Sequence, residues 1–177
     1  ILGPPNVGKS SLINRLAKKN VSIVNPTAGT TRDVLNTSLK LGRVTLEITD
    51  TAGIRETNED VEKEGVEKAW EESKKADLIL YVLDDCAEKQ EYFDAQLTLI
   101  KELKSKNKVF VLVNKSDLLT TRTVFEKLKK TLHEVFYISA KHQNNLDQLK
   151  TSIESFLFKK LEFLNETDAI FLRKRTL

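Results

Sequence analysis

The sequence predicts an α/β domain of three layers, with a mainly parallel sheet and helices on both faces. Three observations carry that prediction. Two continuous apolar runs, LILYVL (78–83) and VFVLV (109–113), read as strands buried on both faces, as in a parallel sheet. Segments of helical periodicity alternate with the strand-like runs along the chain. Short motifs rich in Gly, Asn, Asp and Ser follow the strand ends, where α/β sheets carry their ligands.

The elements follow in order. Ile1-Leu2 reads as the tail of a strand, so the chain reads as an excerpt; it also contains no Met. Lys9 to Lys19 is predicted helical, with apolar Leu12, Ile13 and Leu16. Leu39 and Leu41, then Val44, Leu46 and Ile48, alternate around Gly42-Arg43 as a hairpin does. Glu62 to Lys75 is predicted helical, as are 91–106, 122–132 and 145–160, and VFYIS (135–139) is a last short strand. This assigns residues 1–160 to one domain. Residues 161–177 form a helical tail, or the remnant of an adjoining helical domain, ending LRKRTL.

Composition narrows the class. With 177 residues, 40% of them hydrophobic and 31% charged, the chain has enough apolar material for one full core. No apolar run approaches the roughly 18 residues of a membrane span, and the single Cys86 excludes an internal disulfide. A cytoplasmic protein is expected. The net charge of +3 is a weak hint of an anionic partner. The lysine doublets at 18–19, 74–75, 129–130 and 159–160 each fall near a predicted helix end, where they complement the helix dipole. Trp70 and Phe110 are expected in the core, and His133 and His142 are too isolated for a metal site.

The chemistry lies in five motifs. GPPNVGKS (3–10) fits the phosphate-loop pattern G-x-x-x-x-G-K-S between a strand and a helix. In such a loop the amides and the helix N-terminus bind phosphate oxygens. Asn6, Val7, Gly8 and Ser11 belong to that lining, Lys9 reaches the β and γ phosphates, and Ser10 offers its hydroxyl to Mg²⁺. NKSD (114–117) selects guanine over adenine. Asp117 accepts from guanine N1–H and the exocyclic amine, while Asn114 and Lys115 brace the ring and the loops. In SAK (139–141), the amides of Ser139, Ala140 and Lys141 are placed to meet the guanine oxygen. DTAG (50–53) puts Asp50 near Mg²⁺ through water and lets the Gly53 amide approach the γ phosphate. GTTRD (29–33) stands where a first switch loop belongs; Thr30 and Thr31 line the nucleotide there, and Thr31 is the expected Mg²⁺ ligand. The ligand is therefore expected to be GTP or GDP, and the fold a P-loop nucleotide-hydrolase fold of the Ras-like G-domain kind.

One residue is out of place for a Ras-like enzyme. There a Gln follows the DTAG glycine and orients the attacking water; here it is Ile54, which makes no hydrogen bond through its side chain. PNVGKSSLIN, AGTTRD, DTAGIRE and DVEKEGVEKAW resemble, in order and spacing, the G domain of the MnmE (TrmE) tRNA-modification GTPases over roughly residues 1–160. The second G domain of the Der (EngA) ribosome-assembly GTPases shares part of this set. The acidic ETNEDVEKEG that follows DTAGIR here favours MnmE.

The resemblance implies that Glu62 orients the water; by its position alone it reads as an acid favoured by the dipole at a helix start. It also implies that K⁺ takes the place of an arginine finger. Its ligands would be Asn6, which is otherwise a common turn residue, and carbonyls from about Asn25 to Gly29. Two G domains would have to meet to order these loops. Arg32 and Arg55 fit bridges to carboxylates or to the second copy better than they fit fingers. A nucleotide-gated binding module with little hydrolysis is the alternative of a different class. The family's partners are MnmG, a flavoprotein, and tRNA modified at the wobble uridine. The chain lacks that family's folate-binding domain and C-x-G-K motif, so it is not expected to modify tRNA by itself.

Overall fold

The computed structural model describes residues 1–18, 35–41, 44–50, 71, 73–84, 90–118 and 123–174. Its elements are α1 (Lys9–Lys18), β1 (Leu35–Leu41), β2 (Val44–Asp50), β3 (Ile79–Asp84), α2 (Gln90–Lys106), β4 (Val109–Asn114), α3 (Thr123–Thr131), β5 (Val135–Tyr137) and α4 (Leu146–Lys174). Strands β3, β4 and β5 form a parallel sheet in that order. Leu2 bridges to Tyr81 in parallel on the other side of β3, its N–H bonded to Leu80 O at 3.0 Å and its carbonyl accepting from Val82 N at 2.8 Å. The strand character of Ile1-Leu2 is thus present. Strands β1 and β2 form the expected antiparallel hairpin, with Leu41 opposite Val44 and Leu35 opposite Asp50.

The two apolar runs behave as strands covered on both sides. Leu80, Val82, Phe110 and Leu112 face a core shared with Leu12, Ile13 and Leu16 of α1, Leu149 and Ile153 of α4, and Leu41 and Ile48 of the hairpin. Their neighbours Ile79, Tyr81, Leu83, Val109, Val111 and Val113 face a second core with Phe93, Ile100 and Leu103 of α2 and Leu128 of α3. Alternate side chains point to opposite faces of a strand, so a strand with helices on both sides must be apolar at every position. Phe110 is buried as expected; Trp70 lies outside the described residues.

Helix limits follow local chemistry. α1 starts where Leu12 N–H bonds to Gly8 O at 3.0 Å. Phe93, Ile100 and Leu103 lie on one stripe of α2 at helical spacing, and the helix carries Glu91 in its first turn and Lys104 and Lys106 in its last, matching its dipole. It stops at Asn107, whose Nδ2 donates to Ser73 O at 3.0 Å. α4 differs from its predicted extent: it continues without a break through Lys174. The Lys159-Lys160 doublet is therefore inside a helix rather than near its end. Lys160 pairs with Asp77 at 2.5 Å instead, so this doublet has no dipole role. Leu157 still packs on the core, whereas Phe158, Leu161 and Phe163 are exposed. No helix among the described residues is long and apolar enough to cross a membrane.

Candidate functional site

The parallel sheet brings three loops to one edge. The chain leaves Leu2 into residues 3–8, leaves β4 into Lys115–Asp117, and leaves β5 into Ile138–Lys141. These are carboxyl ends of strands, the side of an open α/β sheet that carries ligands.

The first loop curls because of its backbone. Asn6 and Gly8 have φ of 60° and 97°, left-handed turns of the kind that line up successive amides around an anion. Gly3 is needed for space, since a Cβ there would stand 2.1 Å from the Val82 carbonyl oxygen. Lys9 is buried at 7% exposure, and its Nζ donates to Gly3 O at 2.7 Å and Pro4 O at 2.6 Å. The loop thus holds a buried ammonium at the head of α1, an arrangement suited to a polyphosphate. Val7 is buried, and Asn6, Ser10 and Ser11 are exposed.

Asn114 joins the three loops. At 3% exposure, its Nδ2 donates to Val7 O at 2.8 Å and its Oδ1 accepts from Ala140 N at 2.9 Å. A Cβ on Gly8 would stand 2.4 Å from that same Nδ2. Ser116 N–H bonds to Ile138 O at 3.1 Å, and Arg15 of α1 donates to Lys141 O at 3.2 Å. One amide side chain therefore fixes the spacing between the phosphate loop and the loop after β5.

Asp117 is the acceptor of the site. Ser139 is fully buried and donates its hydroxyl to Asp117 Oδ1 at 2.5 Å, while His142 N–H donates to Ser139 Oγ at 3.0 Å. The bond from Ser139 is the main reason the Asp117 carboxyl lies below its usual range. The group is an ionised, acceptor-only pair of oxygens, suited to two N–H donors on one edge of a flat ring. His142 Nε2 lies 3.5 Å from Oδ2. Lys115 has φ of 63° and pairs with Asp84 at 2.9 Å.

Of the residues singled out in the sequence, Asn6, Val7, Gly8, Lys9, Ser10 and Ser11 fall on or beside one loop. Asn114, Lys115, Asp117, Ser139, Ala140 and Lys141 fall on the two loops bonded to each other and to it. Asp50 ends β2, and its side chain lies outside the description. Asn25, Gly29, Thr30, Thr31, Gly53, Ile54 and Glu62 lie outside the described residues, with Arg32 and Arg55. Asp84, Arg15 and His142 were not among the residues expected to serve the site. Among the described residues there is no group of three or more His, Cys, Asp or Glu that could hold a metal. What the described loop offers a magnesium ion is the exposed Ser10 hydroxyl, a hard oxygen beside the cradle; such an ion takes its other ligands from phosphate, water and one or two carboxylates.

Comparison with known proteins places the chain in a family. The family model described as a 50S ribosome-binding GTPase matches residues 1–115. The tRNA modification GTPase MnmE of Lactobacillus helveticus is 40% identical over 176 residues, 99% of this chain and 37% of that protein. MnmE of Clostridioides difficile is 41% identical over 161 residues, 90% of this chain and 34% of that protein. The chain thus spans about a third of the length of these relatives. Among solved structures, a variant of Aquifex aeolicus Era bound to GDP and AlF4⁻ is similar with a TM-score of 0.65 and 32% identity, covering 88% of this chain and 55% of that one. A probable GTP-binding protein engB, at TM-score 0.64 and 22% identity over 89% of this chain and 97% of that one, shares the fold. The Ras-like architecture and the likeness to MnmE read from the motifs are both borne out.

Proposed function

Since this chain belongs to the 50S ribosome-binding GTPase family and is a GTPase, we propose that it is the G domain of a tRNA-modification enzyme of the MnmE kind, switched on when two copies pair around potassium. The observation that supports the site most directly is Asn114, bonded at once to the phosphate loop and to the loop after β5. It holds the loop of the buried Lys9 at a fixed spacing from the loops that carry Asp117 and Ala140, which supports reading them as one site for a guanosine triphosphate.

In this reading Asp117 accepts from guanine N1–H and the exocyclic amine, and the amides of Ser139, Ala140 and Lys141 face the guanine oxygen. The amides of Asn6 to Ser11 and the Lys9 ammonium bind the β and γ phosphates. Ser10 with Thr31 and, through water, Asp50 would hold magnesium, which would supply charge neutralisation at those phosphates. Thr30 lines the nucleotide, the Gly53 amide meets the γ phosphate, and Glu62 orients the attacking water in place of the missing Gln. Asn6 and carbonyls from Asn25 to Gly29 would hold potassium, which would supply positive charge near the bond that breaks. That position matters because an arginine finger there is worth about 10³–10⁵ in rate. A second G domain closes switch I over the ion, so GTP, potassium and pairing reinforce one another. In the whole protein the partners would be tRNA and an MnmG-like flavoprotein, in the cytoplasm.

Sedimentation with GDP and aluminium fluoride tests the pairing. We expect dimers in potassium, monomers in sodium, and no potassium effect in Asn6→Ala. Equal association in both salts would end the potassium assignment. Glu62→Ala should keep its GTP affinity and lose single-turnover rate, because Glu62 acts on the water and not on the bound nucleotide. A variant as fast as the unaltered protein would remove Glu62 from the mechanism.

A further inference from the structure

We propose that Asp84 is a positioning residue for guanine-nucleotide binding, acting through Lys115. This rests on the assignment of residues 114–117 to the base, and it adds a residue that no motif contains. Asp84 ends β3 in parallel register with Asn114, the last residue of β4. Its carboxylate therefore reaches one residue past its neighbour, to Lys115 Nζ at 2.9 Å. The two side chains are 19% and 30% exposed, so the pair is shielded on most sides. The Asp84 charge also acts on the α2 side. There the Tyr92 phenol is held above its usual range, first by burial and then by this carboxylate.

The pair is not needed to join β3 to β4, which are already in register over Ile79–Asp84 and Val109–Asn114. What it fixes is one side chain. Lys115 turns through φ of 63°, a backbone conformation unfavourable for a residue with a Cβ, and the next amide is bonded to Ile138 O. With the backbone set at one end and the ammonium at the other, the four-carbon stem becomes an ordered apolar strap beside Asp117, on which the flat face of a purine can lie. Without Asp84 the ammonium would turn to water, and the nucleotide would have to order a long, freely rotating side chain on binding.

The test is calorimetric titration of GDP in magnesium buffer, with thermal melts of the nucleotide-free proteins. Asp84→Asn should bind GDP about threefold to fivefold more weakly, the upper range for such an ion pair. Asp84→Glu, which keeps the carboxylate, should restore most of the affinity. In a Lys115→Met background, Asp84→Asn should change nothing further. Unchanged affinity in Asp84→Asn, an equal loss with and without Lys115, or an unfolded Asp84→Asn protein would each overturn the proposal. Failure of the unaltered protein to bind GDP would instead remove the base-loop assignment beneath it.

Discussion

Replacing Asn114 by Ala should cost both stability and nucleotide affinity. The side chain is 3% exposed and makes two bonds, to Val7 O at 2.8 Å and from Ala140 N at 2.9 Å. Alanine removes both partners and leaves a carbonyl and an amide facing each other across the space the amide group filled. An orphaned buried polar group costs about 1–3 kcal/mol, so the two together give roughly 2–6 kcal/mol. Water entering from the neighbouring cleft would satisfy part of this, which favours the lower half, about 2–4 kcal/mol. Total stability for a domain is about 5–15 kcal/mol, so the variant should still fold. Urea unfolding without nucleotide measures the loss. With a slope of about 2 kcal/mol/M the midpoint should fall by roughly 1–2 M. GDP titration should show weakened binding as well, because the phosphate loop and the loop after β5 lose their common brace. A loss under about 1 kcal/mol, or a large loss with unchanged GDP affinity, would refute the claim that Asn114 sets the spacing of the site.

Gly8→Ala should abolish GDP binding in the same titration. Its Cβ would stand 2.4 Å from Asn114 Nδ2 at a φ of 97°, so it strains the loop and displaces the brace together; normal affinity would show that the loop adapts. Asp117→Asn should weaken GTP and admit xanthosine triphosphate, because an acceptor becomes a donor against guanine N1–H; unchanged GTP affinity would remove Asp117 from the base pocket. Glu134→Gln should lower stability by up to about 1 kcal/mol at neutral pH. Burial pushes the Glu134 carboxyl up, but bonds from Lys104 and Lys108 outweigh it and leave it lowered from 4.5. Its contribution is therefore present above pH 4.5 and lost as pH falls below that value through the lowered folded one. A difference from the unaltered protein that persists at the acid end of the unfolding series would contradict that assignment.

The three described loops could be located in the sequence because GPPNVGKS, NKSD and SAK each follow a strand-like run such as VFVLV. The contacts that hold the motifs in place were less so. Asn114 and Val7 are 107 residues apart and Arg15 and Lys141 are 126 apart; no local pattern pairs them. Asp84 directly follows the apolar run LILYVL in the sequence, and only the register of β3 with β4 carries it to Lys115. The helix predicted over 145–160 and the helical tail expected after it form one element, α4, because nothing between Phe158 and Lys174 breaks a helix.

Phosphate release from GTP, followed in potassium chloride and in sodium chloride over a series of protein concentrations, tests the central claim most directly. The account predicts faster turnover in potassium, with a rate per molecule that climbs as concentration favours pairing. Equal rates in the two salts, flat with concentration, would contradict it.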